Sequence, residues 1–231
     1  MPEFQTKEVM VGGINLTISD YPGSKAVDII SSEINSGDYK LNVIDFQPGD
    51  VVVDIGAHVG IISIYLAKKY PFIHVHAFEP IPENYKAFVK NIEDNNVTNV
   101  DAAPVAVTAD SRTIRMIANL PDNTGGGTAQ LKDMFLPGHS YYEEIQSCAA
   151  IEIFQSYPKI KLLKIDCEGT EHEILHSLHP EDLKKVEYLR GEFHINNFLT
   201  AKGYSIDALH HLVLQHIDPD KIKITSIRMA E

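Results

Sequence analysis

The chain has 231 residues, 44% of them hydrophobic, and a formal net charge of −12. That length supports one good core and is short for two full domains. The acidic balance argues against a broad electrostatic grip on nucleic acid, which needs clustered Lys and Arg, and no apolar run is long enough to span a bilayer.

The opening segment lacks a basic stretch followed by an apolar one, and Cys148 and Cys167 lie in no metal or redox spacing. A cytoplasmic protein with reduced thiols is therefore expected. In chain order, the pattern predicts a strand over Glu8 to Ile18, a turn at Tyr21-Pro22-Gly23 and a helix near Ser24 to Asn35. Pro48-Gly49-Asp50 then marks a boundary. It separates an N-terminal extension (1–48) from a main domain (49–231).

Past that boundary strands and helices alternate. Val51 to Ile55 is a continuous apolar run, as in a strand buried on both faces. Ile61 to Lys69 reads as a helix and His74 to Phe78 as the next strand. Tyr85, Phe88, Val89 and Ile92 recur at helical spacing behind Pro82. Further strands are read at Val100 to Val107, Thr113 to Ala118, Ala149 to Phe154, Leu162 to Ile165 and Tyr188 to Phe193. Helices are read at Glu171 to Leu178 and Ser205 to His216, and a closing strand at Lys221 to Met229. Alternation of this kind predicts a doubly wound α/β sheet with right-handed crossovers.

Ligands of such a sheet bind beyond the carboxyl ends of its central strands. The stretch VVVDIGAHVG puts Asp54, Gly56 and Gly60 at one strand end, and HAFEP puts Glu79 at the next. Gly56 permits a sharp turn and the approach of a ligand, Gly60 permits close packing of the following helix, and Glu79 is placed to accept hydrogen bonds from both hydroxyls of a ribose. His58 stands where a dinucleotide fingerprint has its second glycine, and there is no P-loop. An acid at the head of the turn repels a pyrophosphate and suits a cationic ligand without phosphate, such as S-adenosylmethionine.

A second cluster lies in KLLKIDCEGTEHE. Lys164 and Asp166 sit two apart at a strand end, and Glu192 and His194 repeat that relation in RGEFH. Acids and an imidazole gathered there suit a general base, ligands for an oxygen-loving metal, or binders of substrate hydroxyls.

VVVDIGAHVGIISIYLA, HVHAFEPIPENYKAFVKNI, PVAVT and LLKIDCEGTEHEIL, in this order, resemble the FkbM-type S-adenosylmethionine-dependent methyltransferases over roughly residues 49 to 194. The resemblance implies a Rossmann-like class I methyltransferase fold: a doubly wound, mostly parallel sheet with a C-terminal antiparallel strand, here behind a short N-terminal extension. It also implies methyl transfer to a hydroxyl of a small molecule, sugar or glycolipid. By that likeness Asp54, Gly56, Ala57, His58 and Gly60 form the cofactor turn, Glu79 and Pro80 lie at the ribose, and Ala106 and Val107 flank the adenine. Asp166 faces the transferred methyl. The chain departs from the family's pattern at His58, usually Asn, and at Ile151-Glu152, usually an acidic pair.

On this reading Asp166 orients cofactor and substrate, while His194, Glu192 or another nearby carboxylate takes the hydroxyl proton. A divalent metal held by Asp166, Glu168 and Glu192 is the variant. The Gly125-Gly126-Gly127 loop is a candidate lid, and the N-terminal extension a cap over the cleft or a homodimer contact. The alternatives are a nucleic-acid methyltransferase on the same fold, disfavoured by the charge, and a cofactor-binding protein without turnover.

Overall fold

The computed structural model describes residues 4–118, 127–129 and 140–229. The chain begins with a hairpin, β1 (Gln5–Val11) and β2 (Ile14–Asp20), paired antiparallel. A single strand over Glu8 to Ile18 is thus corrected to two. Gly12 and Gly13 between them have φ of 53° and 82°, the left-handed pair that closes a two-residue hairpin. Helix α1 (Ala26–Ser36) follows.

Strand β3 (Val51–Ile55), helix α2 (Ile61–Lys69) and strand β4 (His74–Phe78) keep the expected bounds, and α3 (Pro82–Asp94) starts on Pro82. The strand expected at Val100 to Val107 is divided into β5 (Val100–Ala103) and β6 (Ala106–Thr108). Pro104 lies in the gap, and proline lacks the N–H a ladder requires. Strands β7 (Ile114–Ala118), β8 (Gly127–Ala129) and β9 (Ser140–Ile145) make a small antiparallel sheet in the order β8-β7-β9. Gly127 opens β8, whereas Gly125 and Gly126 of the candidate lid lie outside the described residues.

Strand β10 (Ser147–Ala149) pairs with β6, and α4 (Ala150–Gln155) follows at once. A strand expected at Ala149 to Phe154 is therefore a helix. So short an apolar run fits either period, and one helical turn buries Ala150, Ile153 and Phe154 together. The chain continues through β11 (Ile160–Ile165), α5 (Glu171–Ser177), α6 (Pro180–Leu183), β12 (Val186–Ile195), α7 (Asn197–Ala201), α8 (Ile206–Leu214) and β13 (Ile222–Arg228).

The main sheet has the order β13-β12-β11-β3-β4-β5, and every neighbouring pair is parallel. The closing strand, expected to run antiparallel, instead runs parallel to β12. Helices α7 and α8 carry the chain back to the start of the sheet, and such a crossover brings the next strand in parallel. Strand order reverses at β3 and β11, which places a crevice above their carboxyl ends.

Both faces of this sheet are covered. Val52 and Leu162 point into a core shared with α2 and the N-terminal hairpin, while Val53, Leu163 and Leu189 point into a core with α4, α5 and α8. Alternation of direction along buried strands explains why they read as unbroken apolar runs. Helix α2 is buried from Ile61 to Ala67 because β2 lies across its outer side.

Two asparagines, one in α3 and one capping its C-terminus, hold the hairpin in place. Asn91 accepts from the Ser19 N–H at 2.7 Å and donates to the carbonyls of Ser19 and Val59, each at 2.9 Å. Asn95, one turn on, accepts from the Thr17 N–H at 3.0 Å and donates to its carbonyl at 2.7 Å. These amides continue the ladder that β2 lacks on that edge. Asn91→Leu leaves buried backbone groups unpaired and is expected to lower stability by about 3 kcal/mol in a urea titration.

Candidate active site

The turn after β3 is shaped by the end of β11. Gly56 has φ of 79°, and a Cβ on it would stand 1.9 Å from the Asp166 carbonyl oxygen. Glycine is required there by a neighbouring strand as much as by any ligand. A Cβ on Gly60 would stand 2.0 Å from the Phe88 ring, so α2 and α3 meet with no room between them.

Below the turn lies a buried ion pair. Asp54 and Lys164 are register partners on adjacent strands, 1% and 5% exposed at their side chains, with Nζ 3.3 Å from Oδ1. Asp54 also accepts from Ser63 Oγ at 2.7 Å, and Lys164 donates to the Gly56 carbonyl and lies 3.8 Å from Asp166. Burial disfavours the ammonium, but Asp54 and Asp166 outweigh it and hold Lys164 charged, far above the ordinary lysine range. The carboxylate of Asp54 thus faces Ser63 and Lys164.

Glu79 joins this turn to the next. Its Oε2 accepts from the His58 N–H at 2.8 Å, and its Oε1 from the Ile81 N–H at 2.9 Å and from Asn84 at 3.3 Å. Burial raises its pKa while these donors and His58 pull it down. His58 itself has φ of 55°, is 4% exposed, and has no hydrogen-bond partner at either ring nitrogen.

Two cavities open at the strand ends. One is lined by Gly56, Glu79, Pro80, Ala106 and Val107, with Ile114 and Met116 of β7. The other lies under α1, lined by Ile29, Ile30, Glu33 and Tyr39 together with Asp54, Ala57, His58, Lys164 and Glu192. Gly56, Asp166 and Glu168 line both, so the cavities meet there. Among the expected site residues, Gly60 and His194 line neither.

His194 sits beneath the second cavity, 2% exposed. Its Nδ1 is 3.0 Å from Glu171, and its Nε2 is 3.2 Å from Glu192 and 3.7 Å from Glu168. Burial alone would push the imidazole down; the hydrogen bonds to Glu171 and Glu192 and the charge of Glu168 overcome it and raise the pKa to about 11. Both nitrogens face carboxylates. Burial pushes Glu168 up to about 7, against the pull of His194 and with the added repulsion of Asp166, Glu171 and Glu192. Asp166 is raised by burial too, with Lys164 opposing. Across the cavity, burial and then the charges of Glu192 and Asp166 raise Glu33.

Sequence reasoning did not find Glu171, which is fully buried and accepts from the N–H groups of Cys167 and Gly169, both at 2.8 Å. Its acidic place in the first turn of α5 looks like dipole compensation. Nor did it find Glu33 and Tyr39, which reach the cleft from the N-terminal extension, more than a hundred residues before Asp166 and Glu192. No local signal marks them. No helix among the described residues is long and apolar enough to cross a membrane.

The chain matches the Methyltransferase FkbM domain over residues 54–211, more than half of its length. It is 27% identical over 184 residues to the 31-O-demethyl-FK506 methyltransferase FkbM of Streptomyces tacrolimicus, covering 68% of this chain and 70% of that one. It is 24% identical over 190 residues to Methyltransferase 1 of Beauveria bassiana (strain ARSEF 2860), covering 71% and 76%. A solved structure, precorrin-6y C5,15-methyltransferase from Geobacter metallireducens GS-15, aligns with a TM-score of 0.39 at 15% identity over 68% of this chain and 57% of that one. With the parallel sheet, the glycine turn at its reversal point and the domain match that begins on Asp54, this chain belongs to the FkbM methyltransferase family.

Proposed function

We propose that this methyltransferase moves a methyl group from S-adenosylmethionine to a hydroxyl oxygen of a small molecule. The observation that carries the reading is the meeting of two cavities at Asp166 and Glu168. A two-substrate reaction needs such a junction, with one reactant on each side and the reacting atoms between them.

The first cavity fits this cofactor by its chemistry. The N–H groups of Gly56 and Ala57 both donate to the Phe78 carbonyl at 3.0 Å, and that of His58 donates to Glu79. These three amides are therefore not offered to a phosphate, and Glu79, Asp166 and Glu168 would repel one. A ligand with a ribose, a flat base and a net positive charge suits the same walls. Glu79 would hold the ribose hydroxyls with oxygen lone pairs that its protein donors leave over, while Pro80, Ala106 and Val107 would face the adenine. The bound cofactor supplies a methyl activated by its positive sulfur.

The protein's own part is to orient the acceptor and remove its proton. Glu168, at the junction and facing both cavities, takes the hydroxyl proton. Asp166 orients the acceptor oxygen from the other side of the junction. His194 positions Glu168 and Glu192 by charge and hydrogen bonding rather than acting as base. The apolar wall of Ile29 and Ile30 would take the body of the acceptor. The Streptomyces relative is named as a 31-O-demethyl-FK506 methyltransferase, which supports the hydroxyl assignment.

Calorimetric titration with S-adenosylmethionine, with NAD as control, tests the cofactor. Micromolar binding of the first and none of the second is expected. Glu79→Ala is expected to weaken it by at least about tenfold, the worth of one charge-assisted hydrogen bond. A folded protein that binds neither ligand removes the reading.

A further inference from the structure

The acceptor-side cavity carries a feature that general base catalysis does not use. One carboxylate oxygen each from Asp166 and Glu192 and a ring nitrogen of His194 lie within 4.8 Å of one another. They come from the ends of β11 and β12, adjacent strands in the sheet, so the rigid part of the fold sets their spacing. Asp166 and Glu192 line the cavity, whereas His194 lies behind that lining, against Glu192 and Glu168.

The imidazole is oriented as a metal ligand would be. Its Nδ1 meets Glu171, which is fully buried and fixed by two backbone N–H groups. A buried carboxylate behind one nitrogen sets the tautomer and turns the other nitrogen outward, the arrangement found behind most metal-bound histidines. Here the outward nitrogen, Nε2, faces Glu192 at 3.2 Å and Glu168 at 3.7 Å.

An independent observation marks the cavity as built for a polar ligand. His58 lines it, is 4% exposed, and has both ring nitrogens without a partner. Buried polar atoms are rarely left so, and each such group calls for a partner. The local charge agrees: Asp166, Glu168, Glu171 and Glu192 stand around one imidazole, and Lys164 is shared between Asp54 and Asp166.

We propose that Asp166, Glu192 and His194 bind one divalent cation at the wall of the acceptor cavity, the ion taking the place of the His194 Nε2 proton, which leaves to solvent, with its remaining positions open toward the acceptor's hydroxyl groups. Relative to the set expected from sequence, His194 takes the place of Glu168. Two carboxylates and one imidazole suit a divalent transition metal, of which Mn2+ tolerates the oxygen-rich set best. Such an ion selects acceptors carrying a hydroxyl beside a second oxygen and lowers the pKa of the hydroxyl it holds. That role rests on the reading of this cavity as the acceptor side; the cation site itself does not.

The test uses the full chain, stripped with chelator and titrated with MnCl2, with free Mn2+ followed by its electron paramagnetic resonance signal. One ion per chain is expected, displaced by Zn2+, which an N/O site holds more tightly than Mn2+. His194→Gln and Glu192→Gln are each expected to weaken binding by more than tenfold, and Glu171→Gln by about 10–100-fold through the orientation of His194. Asp207→Asn, exposed on α8, leaves binding unchanged. Circular dichroism confirms that each variant is folded; if His194→Gln is not, the Glu192 and Glu171 variants decide. Binding absent, or equal in all folded variants, overturns the proposal. Titration of the same samples with S-adenosylmethionine separates the outcomes. Cofactor binding without Mn2+ binding overturns the cation site alone, and the reverse overturns only the methyltransferase reading.

Discussion

Lys164→Met is expected to lower the unfolding free energy by about 3–5 kcal/mol, the usual cost of leaving one member of a buried ion pair without its partner. Asp54 is 1% exposed and Lys164 lies 3.3 Å from it across the β3–β11 pair. Removing the ammonium strands that carboxylate in the sheet and frees the Gly56 carbonyl at the head of the cofactor turn. The double variant Lys164→Met/Asp54→Leu is expected to recover most of the loss, because two buried charges replaced together by apolar groups of similar volume are close to neutral. Urea titrations of the two single variants and the double give the coupling energy. A single variant with the wild-type midpoint would show that the pair does not hold these strands.

Glu168→Gln is expected to reduce kcat by about 10²–10⁴-fold, the usual worth of a positioned general base. The carboxylate lies where the two cavities meet, and the amide keeps its size and much of its hydrogen bonding but cannot take a proton at neutral pH. Cofactor binding, measured by calorimetry, should change little, because Glu79 and the apolar walls of the first cavity stay intact. His194→Gln should lose less turnover than Glu168→Gln, since His194 acts through its neighbours. The comparison of the two variants at saturating cofactor decides between them. A larger loss at His194 would return the base role to the imidazole.

Strands and helices with one clear period were legible before any coordinates. Strand β3, helix α2 and strand β4 keep their sequence-derived limits, because each is a buried run bounded by turn residues. The failures have local causes. The Gly12-Gly13 turn sits inside an alternating run and hides a hairpin, and Ala150 to Gln155 is too short to show its period. The direction of β13 was a matter of topology: it follows from the helical crossover, which no residue of the strand itself announces.

The same division holds at the site. The acid-glycine turn, Glu79 and the KIDCEGTE run are each local in sequence, because a single strand end and the loop after it deliver each of them, so local order was enough to find them. The family likeness rests on those same stretches. Tertiary structure alone decided that Asp54 serves Lys164, that Glu171 holds His194, and that α1 brings Glu33 and Tyr39 over the cleft. It also decided that His194 is charged, since the carboxylates responsible come from α5, β12 and the loop between β11 and α5. Side-chain type and spacing record what each residue can do. Which partner it meets, and so which charge state it keeps, depends on distances that exist only once the sheet has assembled.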